Sequence, residues 1–109
     1  MIDWSQVAEL REGVGEDGFE EVVEIFFTEV EERLLSLQAD LPNKQLEELL
    51  HFLKGSALNL GLSEFAGLCR EGEKAAACGD GASIDLMAIH EAFDRGKAAF
   101  EEGLPRLAA

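Results

Sequence analysis

Between Phe19 and Leu41, apolar residues recur at steps of three and four: Phe19, Val23, Phe26, Val30, Leu34, Leu37 and Leu41. A helix brings such positions onto one side because its side chains repeat about every 3.6 residues, whereas those of a strand alternate. A shorter segment of the same kind, about Trp4 to Glu12, precedes this one, and three more follow. Leu46, Leu49, Leu50, Leu53, Ala57 and Leu60 mark the third segment. Phe65, Leu68, Cys69 and Ala76 mark the fourth, and Ile89, Phe93, Gly96 and Phe100 the fifth. The chain must bury five helical stripes.

The punctuation between stripes fits helix ends. "GVGEDG" closes the first, and Asp17 is placed to cap the second. "LPN" breaks the second, and Asn43 is placed to cap the third. Gly61 suits a left-handed stop to the third, and Ser63 a cap for the fourth. "CGDG" ends the fourth, and Ser83 or a near neighbour starts the fifth. Amphipathic helices on short connections pack as antiparallel neighbours. The expected fold is all-α, an antiparallel four-helix bundle with a short additional N-terminal helix across one end. With 109 residues, the chain suffices for one core, hence a single domain spanning 1–109.

Charge bears on partners. The formal net charge is -14, and the first 32 residues hold 11 of the 23 acids against one base, Arg11. Such a surface repels nucleic acid and anionic lipid, so neither is an expected partner. "MIDWSQVAEL" lacks a basic segment followed by an apolar core, and no apolar run approaches the roughly 20 residues of a membrane span. A cytoplasmic protein is expected, and a chain running from Met1 with its own caps suggests a domain that stands alone. Cys69 and Cys78, nine apart, would lie about 13 Å apart along one helix, too far for a disulfide. They read as small buried residues in a reducing compartment. Trp4 reads as the packing anchor of the first helix.

One histidine breaks the pattern. With Leu53 at the centre of the third segment's apolar face, Leu46, Leu49, Leu50, Ala57 and Leu60 lie within about 60° of it, and His51 at about 160°. Lys44, Glu47, Glu48, Lys54, Gly55 and Leu58 share the side of His51. Gly55 costs a mid-helix position about 1 kcal/mol relative to Ala, and it sits at i+4, where a side chain would crowd the imidazole. Lys54, at i+3, can set an ammonium beside the ring, and Leu58 adds an apolar spot. An accessible imidazole, a cation and a cleared approach suit an anionic group delivered by a large partner.

These residues carry a resemblance. "HFLKGSALNLG" is similar to the signature of the histidine-phosphotransfer (HPt) domain family, His-x-x-Lys-Gly-Ser followed by Leu-Gly at the helix end. "FAGLCREGEKAAACGD" is similar to that family's next helix, which often has a central Cys and ends in Gly-Asp. The resemblance runs from the second helix through the fifth. It implies a phosphorelay intermediate that accepts a phosphoryl group on His51 from one receiver-domain aspartate and passes it to another. Lys54 would stabilise the phosphoryl charge and Gly55 would admit the partner, while Ser56 matches the motif's serine, a mostly structural position. Leu58 and Lys44, on the same face, are candidate partner-binding residues. The implied partners are response-regulator receiver domains and hybrid sensor histidine kinases, with the protein itself a monomer. Two departures are visible. Gly72 stands where the family usually has a large apolar residue, which would loosen local packing. Glu73 lies where some members place a glutamine near the histidine, and a carboxylate repels phosphate.

The chemistry agrees with the resemblance. An imidazole in water has a pKa of about 6.5, so at pH 7 it is largely neutral and nucleophilic without a general base. In-line phosphoryl transfer needs positioning and charge neutralisation more than covalent machinery. This chain offers no acid cluster for magnesium and no nucleotide site, so it is expected to be a phosphocarrier without kinase activity of its own and without a cofactor. Magnesium is expected on the receiver.

Other readings are weaker. "GVGEDG" fits G-x-G-x-x-G, but it follows a helix instead of a strand, and Glu16 and Asp17 would face the pyrophosphate; it reads as a turn. Glu48-x-x-His51 has the spacing of di-iron bundles, but both residues turn outward and His90, the other histidine, has Met87 three residues before it. No metal site is expected, and His90 reads as structural. The His-Glu-aliphatic-Arg-x-Pro pattern of sensor-kinase dimerisation domains is absent. A helical interaction module that is never phosphorylated has the same expected fold and is the alternative.

Overall fold

Each stripe of three-and-four spacing folds as a helix. The computed structural model describes residues 2–108, with α1 (Trp4–Val14), α2 (Glu16–Leu34), α3 (Asn43–Asn59), α4 (Ser63–Ala77), a 3-10 turn (Gly81–Ser83) and α5 (Leu86–Ala108). Among the described residues there is no strand beyond one isolated bridge, Ile2 with Leu62, and no helix is long and apolar enough to cross a membrane.

The helix starts differ from the sequence expectation. Asp3 caps α1, its carboxylate accepting from the Ser5 and Gln6 amides at 3.2 and 3.4 Å. Gly15, at φ 93, turns the chain so tightly that α2 begins at Glu16, leaving Asp17 inside its first turn. There it complements the helix dipole instead of capping. Asn43 is the first residue of α3, behind Pro42, and its side-chain oxygen instead accepts the Gly81 amide at 2.9 Å. Leu62, not Ser63, precedes α4. Ser83 lies in the 3-10 turn, its hydroxyl donating to the Asp80 carbonyl, and Asp85 caps α5 by accepting the Ala88 amide at 3.0 Å.

The helix ends match more closely. α3 stops at Gly61, whose φ of 72 favours glycine. The Gly61 amide donates to Leu58 at 3.2 Å and the Leu62 amide to Ala57 at 2.9 Å, the paired bonds of a Schellman turn. α4 ends the same way, with Gly79 donating to Ala76 and Asp80 to Ala75. Cys78 therefore lies past the helix end and is exposed, contrary to expectation, while Cys69 is buried. α2 ends at Leu34, because the chain tightens into bonds from Leu35 to Glu32, Ser36 to Arg33 and Leu37 to Leu34. Leu37 stays buried from outside the helix, and Phe27 takes the buried position that Phe26 was expected to hold.

The stripes meet in one core. Val30, Leu50, Leu53, Leu60, Phe65, Ile89 and Phe100 are almost wholly buried, each contributing about 1.5–3 kcal/mol. Phe27 packs its ring edge on Phe100 at 5.1 Å between centroids, and Phe65 on Phe93 at 5.3 Å. Trp4 anchors α1, stacked on Phe100 at 5.7 Å and lying against Gly103. The Asp3 amide donates to the Gly61 carbonyl at 2.8 Å, so the start of α1 also touches the end of α3.

Candidate functional site

Leu46, Leu49, Leu50, Leu53 and Ala57 turn inward from α3, which leaves His51 outward, its side chain 69% exposed. Gly55, one turn on, is also exposed, and a Cβ built there would meet nothing within 4 Å. It is not a packing contact, and the space above the imidazole is open.

The ring is nonetheless held. Its Nδ1 lies 2.8 Å from Oε2 of Glu73 on α4. The Lys54 ammonium donates to the other oxygen, Oε1, at 2.7 Å. A carboxylate can only accept here, so Nδ1 carries a proton, and in the neutral ring Nε2 keeps the lone pair. Lys54 is 23% and Glu73 19% exposed. Hydrogen bonding from Lys54 first, and then from His51, holds the Glu73 carboxyl below its ordinary 4.5 against the opposing effect of burial. Under this cluster the Cys69 thiol is pushed up to about 12, chiefly by burial and next by the Glu73 charge, so it is an inert thiol.

What sequence reasoning missed at Glu73 is its bond to the ring. The resemblance places it near His51 as a carboxylate that repels phosphate, and the structure puts that carboxylate 2.8 Å from Nδ1. Gly72 is buried, and a Cβ there would lie 2.9 Å from Leu50 Cδ1 and 3.5 Å from Ile84 Cγ2. Leu50 packs onto this position from α3, while Gly72 and Ile84 also line an open groove with Leu68, Glu71 and Ile89. The absent side chain lets α4 lie directly on Leu50, one residue before Glu73.

The other flank was also unforeseen. Arg33, in the last turn of α2, lays its guanidinium over the Phe52 ring at 4.2 Å from the centroid, a contact worth about 0.5–1 kcal/mol in an exposed setting. Lys44 and Leu58 are exposed, as expected, seven residues before and after His51, a rise of about 10 Å each way along the same face. Among the described residues neither joins the His51–Glu73–Lys54 cluster by a hydrogen bond. Glu48 does not bond the ring either, and His90 is half-buried on α5. "GVGEDG" spans the end of α1, the turn at Gly15 and the beginning of α2.

The family described as Hpt domain matches residues 21–109, more than half of the chain. A curated relative, "Phosphorelay intermediate protein YPD1" of Candida albicans (strain SC5314 / ATCC MYA-2876), is 38% identical over 74 residues. The match takes in 63% of this chain but only 40% of the relative's length. No solved structure gives a significant match.

Proposed function

The chain belongs to the Hpt domain family, and from that premise we propose that it is a phosphorelay intermediate whose His51 accepts a phosphoryl group from a receiver-domain aspartate and yields it to another. The observation that carries the reading is His51 itself: an exposed imidazole whose Nδ1 is bonded to Glu73, leaving the Nε2 lone pair toward solvent. Nε2 attacks phosphorus, the N–P bond forms, and the P–O bond breaks with its electron pair leaving on the aspartate.

Lys54 offsets the charge of the phosphoryl oxygens, and Gly55 leaves room for the receiver to approach in line. Leu58 and Lys44 extend the docking face along α3. The receiver brings magnesium; this chain supplies nucleophile and cation, acts as a carrier without kinase activity of its own, and works as a monomer in the cytoplasm. Hybrid sensor histidine kinases, through their receivers, belong to the same partner class, and nucleic acid and membrane do not. For the architecture, we read α2 to α5 as an antiparallel four-helix bundle with α1 across one end. The contacts of α1 with the α3–α4 turn at Gly61 and with α5 at Phe100 and Gly103 support this.

The test is incubation with a phosphorylated receiver domain, followed by location of the transferred phosphate. Label on His51, lost in acid and kept in alkali, is the expected result. His51→Gln should abolish it while far-UV circular dichroism stays helical. Undiminished labelling of that variant, or label on His90, overturns the reading.

A further inference from the structure

Around His51 stand Glu73 from α4, which bonds the ring, Lys54 from its own helix, which bonds Glu73, and Arg33 from α2, which lies over the adjacent Phe52. Glu47 and Glu48 are its i−4 and i−3 neighbours along α3. Among the described residues, Glu73 alone hydrogen-bonds to the ring. Building on the reading of His51 as phosphoryl carrier, we propose that Glu73 keeps the proton on Nδ1 after Nε2 has been phosphorylated, and so makes the imidazole a good leaving group.

The electron count explains why that proton matters. On phosphorylation the Nε2 lone pair becomes the N–P bond, while Nδ1 retains its hydrogen, so the ring becomes a cation. A carboxylate 2.8 Å away favours that charged form. On onward transfer, the N–P electron pair returns to Nε2 as the next aspartate oxygen bonds phosphorus. The ring then departs as neutral imidazole, with no proton to fetch. A phosphorylated ring lacking the Nδ1 proton would have to leave as an imidazolate anion, a far stronger base and a poorer leaving group.

Lys54 donates to the other oxygen of the same carboxylate and moderates this effect without removing it, since the two bonds use different oxygens. A glutamine at this position would accept the Nδ1 hydrogen bond but bring no charge to hold the proton. The carboxylate thus tilts the site toward passing the phosphoryl group on and away from storing it. The net negative charge that phosphorylation adds, set beside Glu73, acts in the same direction.

The test uses potassium phosphoramidate as a small phosphoryl donor to load the wild type and Glu73→Gln, with ¹⁵N NMR following Nδ1 of the phosphorylated ring against pH. Phosphoryl release to a receiver is measured over the same range. The Nδ1 midpoint should fall by about one unit or more in Glu73→Gln, equivalent to a tenfold or greater loss of proton affinity. Above that midpoint, transfer by the variant should be slower by about the same factor. Coincident midpoints and rate profiles overturn the proposal and leave the carrier reading intact. A chain that takes no label on His51 overturns both. Should Glu73→Gln fail to fold, the wild type suffices: its phosphorylated Nδ1 must titrate above that of a phosphorylated peptide of the α3 sequence, and a value at or below the peptide's overturns the proposal.

Discussion

At the residue scale, Gly55 separates access from stability. Its Cβ position meets nothing within 4 Å, so Gly55→Ala should be neutral or stabilising by up to about 1 kcal/mol through reduced unfolded-state entropy. Gly55→Gln keeps good helix propensity but projects over the imidazole one turn away. It should melt at or above the wild-type temperature and transfer phosphate far more slowly. Thermal melts and stopped-flow transfer with one receiver check both arms, and a glutamine variant that transfers at the wild-type rate removes the access role from this glycine. His51 and Lys54 could be picked out from the chain because helical spacing sets a residue's side without reference to any other element. Glu73 was placed near His51 by the resemblance, but its effect was not legible, because whether a carboxylate opposes or serves an imidazole depends on a distance between two helices.

At the element scale that distance is set at Gly72, where α4 approaches the Leu50 methyl and Ile84. Gly72→Ala pushes only the end of a flexible side chain, and the gain in helix propensity offsets it, so stability should stay within about 1 kcal/mol. Gly72→Leu places a family-typical side chain where two others already sit. Overpacking should lower stability by about 1–3 kcal/mol and spread α3 from α4. The loss should register as a lower melting temperature and as a changed imidazole ¹⁵N spectrum when the Nδ1–Glu73 bond breaks; an unchanged spectrum would detach Gly72 from the site. Helix identity and the glycine stops at Gly61 and Gly79 were legible because they rest on local backbone chemistry. The starts were not: Asn43 and Ser83 found partners other than the amides of their own helices, and α2 gave up its last turns while Leu37 kept its place in the core.

At the scale of the whole molecule, 23 acids face nine bases, so protonation of many carboxylates relieves self-repulsion as pH falls. That effect is nearly common to the wild type and Glu73→Gln and cancels in their difference. What remains is Glu73, whose folded-state carboxyl is held below 4.5. A depressed folded value contributes stability that is complete above the unfolded value and lost as pH drops through the folded one. The melting-temperature gap between the two proteins, present at about pH 5, should therefore close as pH falls below 4.5. A gap that persists undiminished well below 4.5 contradicts the ion pair. The far end of the molecule offers a different handle. Trp4 is the single tryptophan, the chain has no tyrosine, and the indole is stacked on Phe100 and lies against Gly103. Fluorescence excited at its red edge comes from that one ring alone. The emission is a gauge of how α1 docks, read separately from the amide signal of the five helices, so one cuvette follows the fit of the N-terminal helix and the melting of the rest as two independent channels.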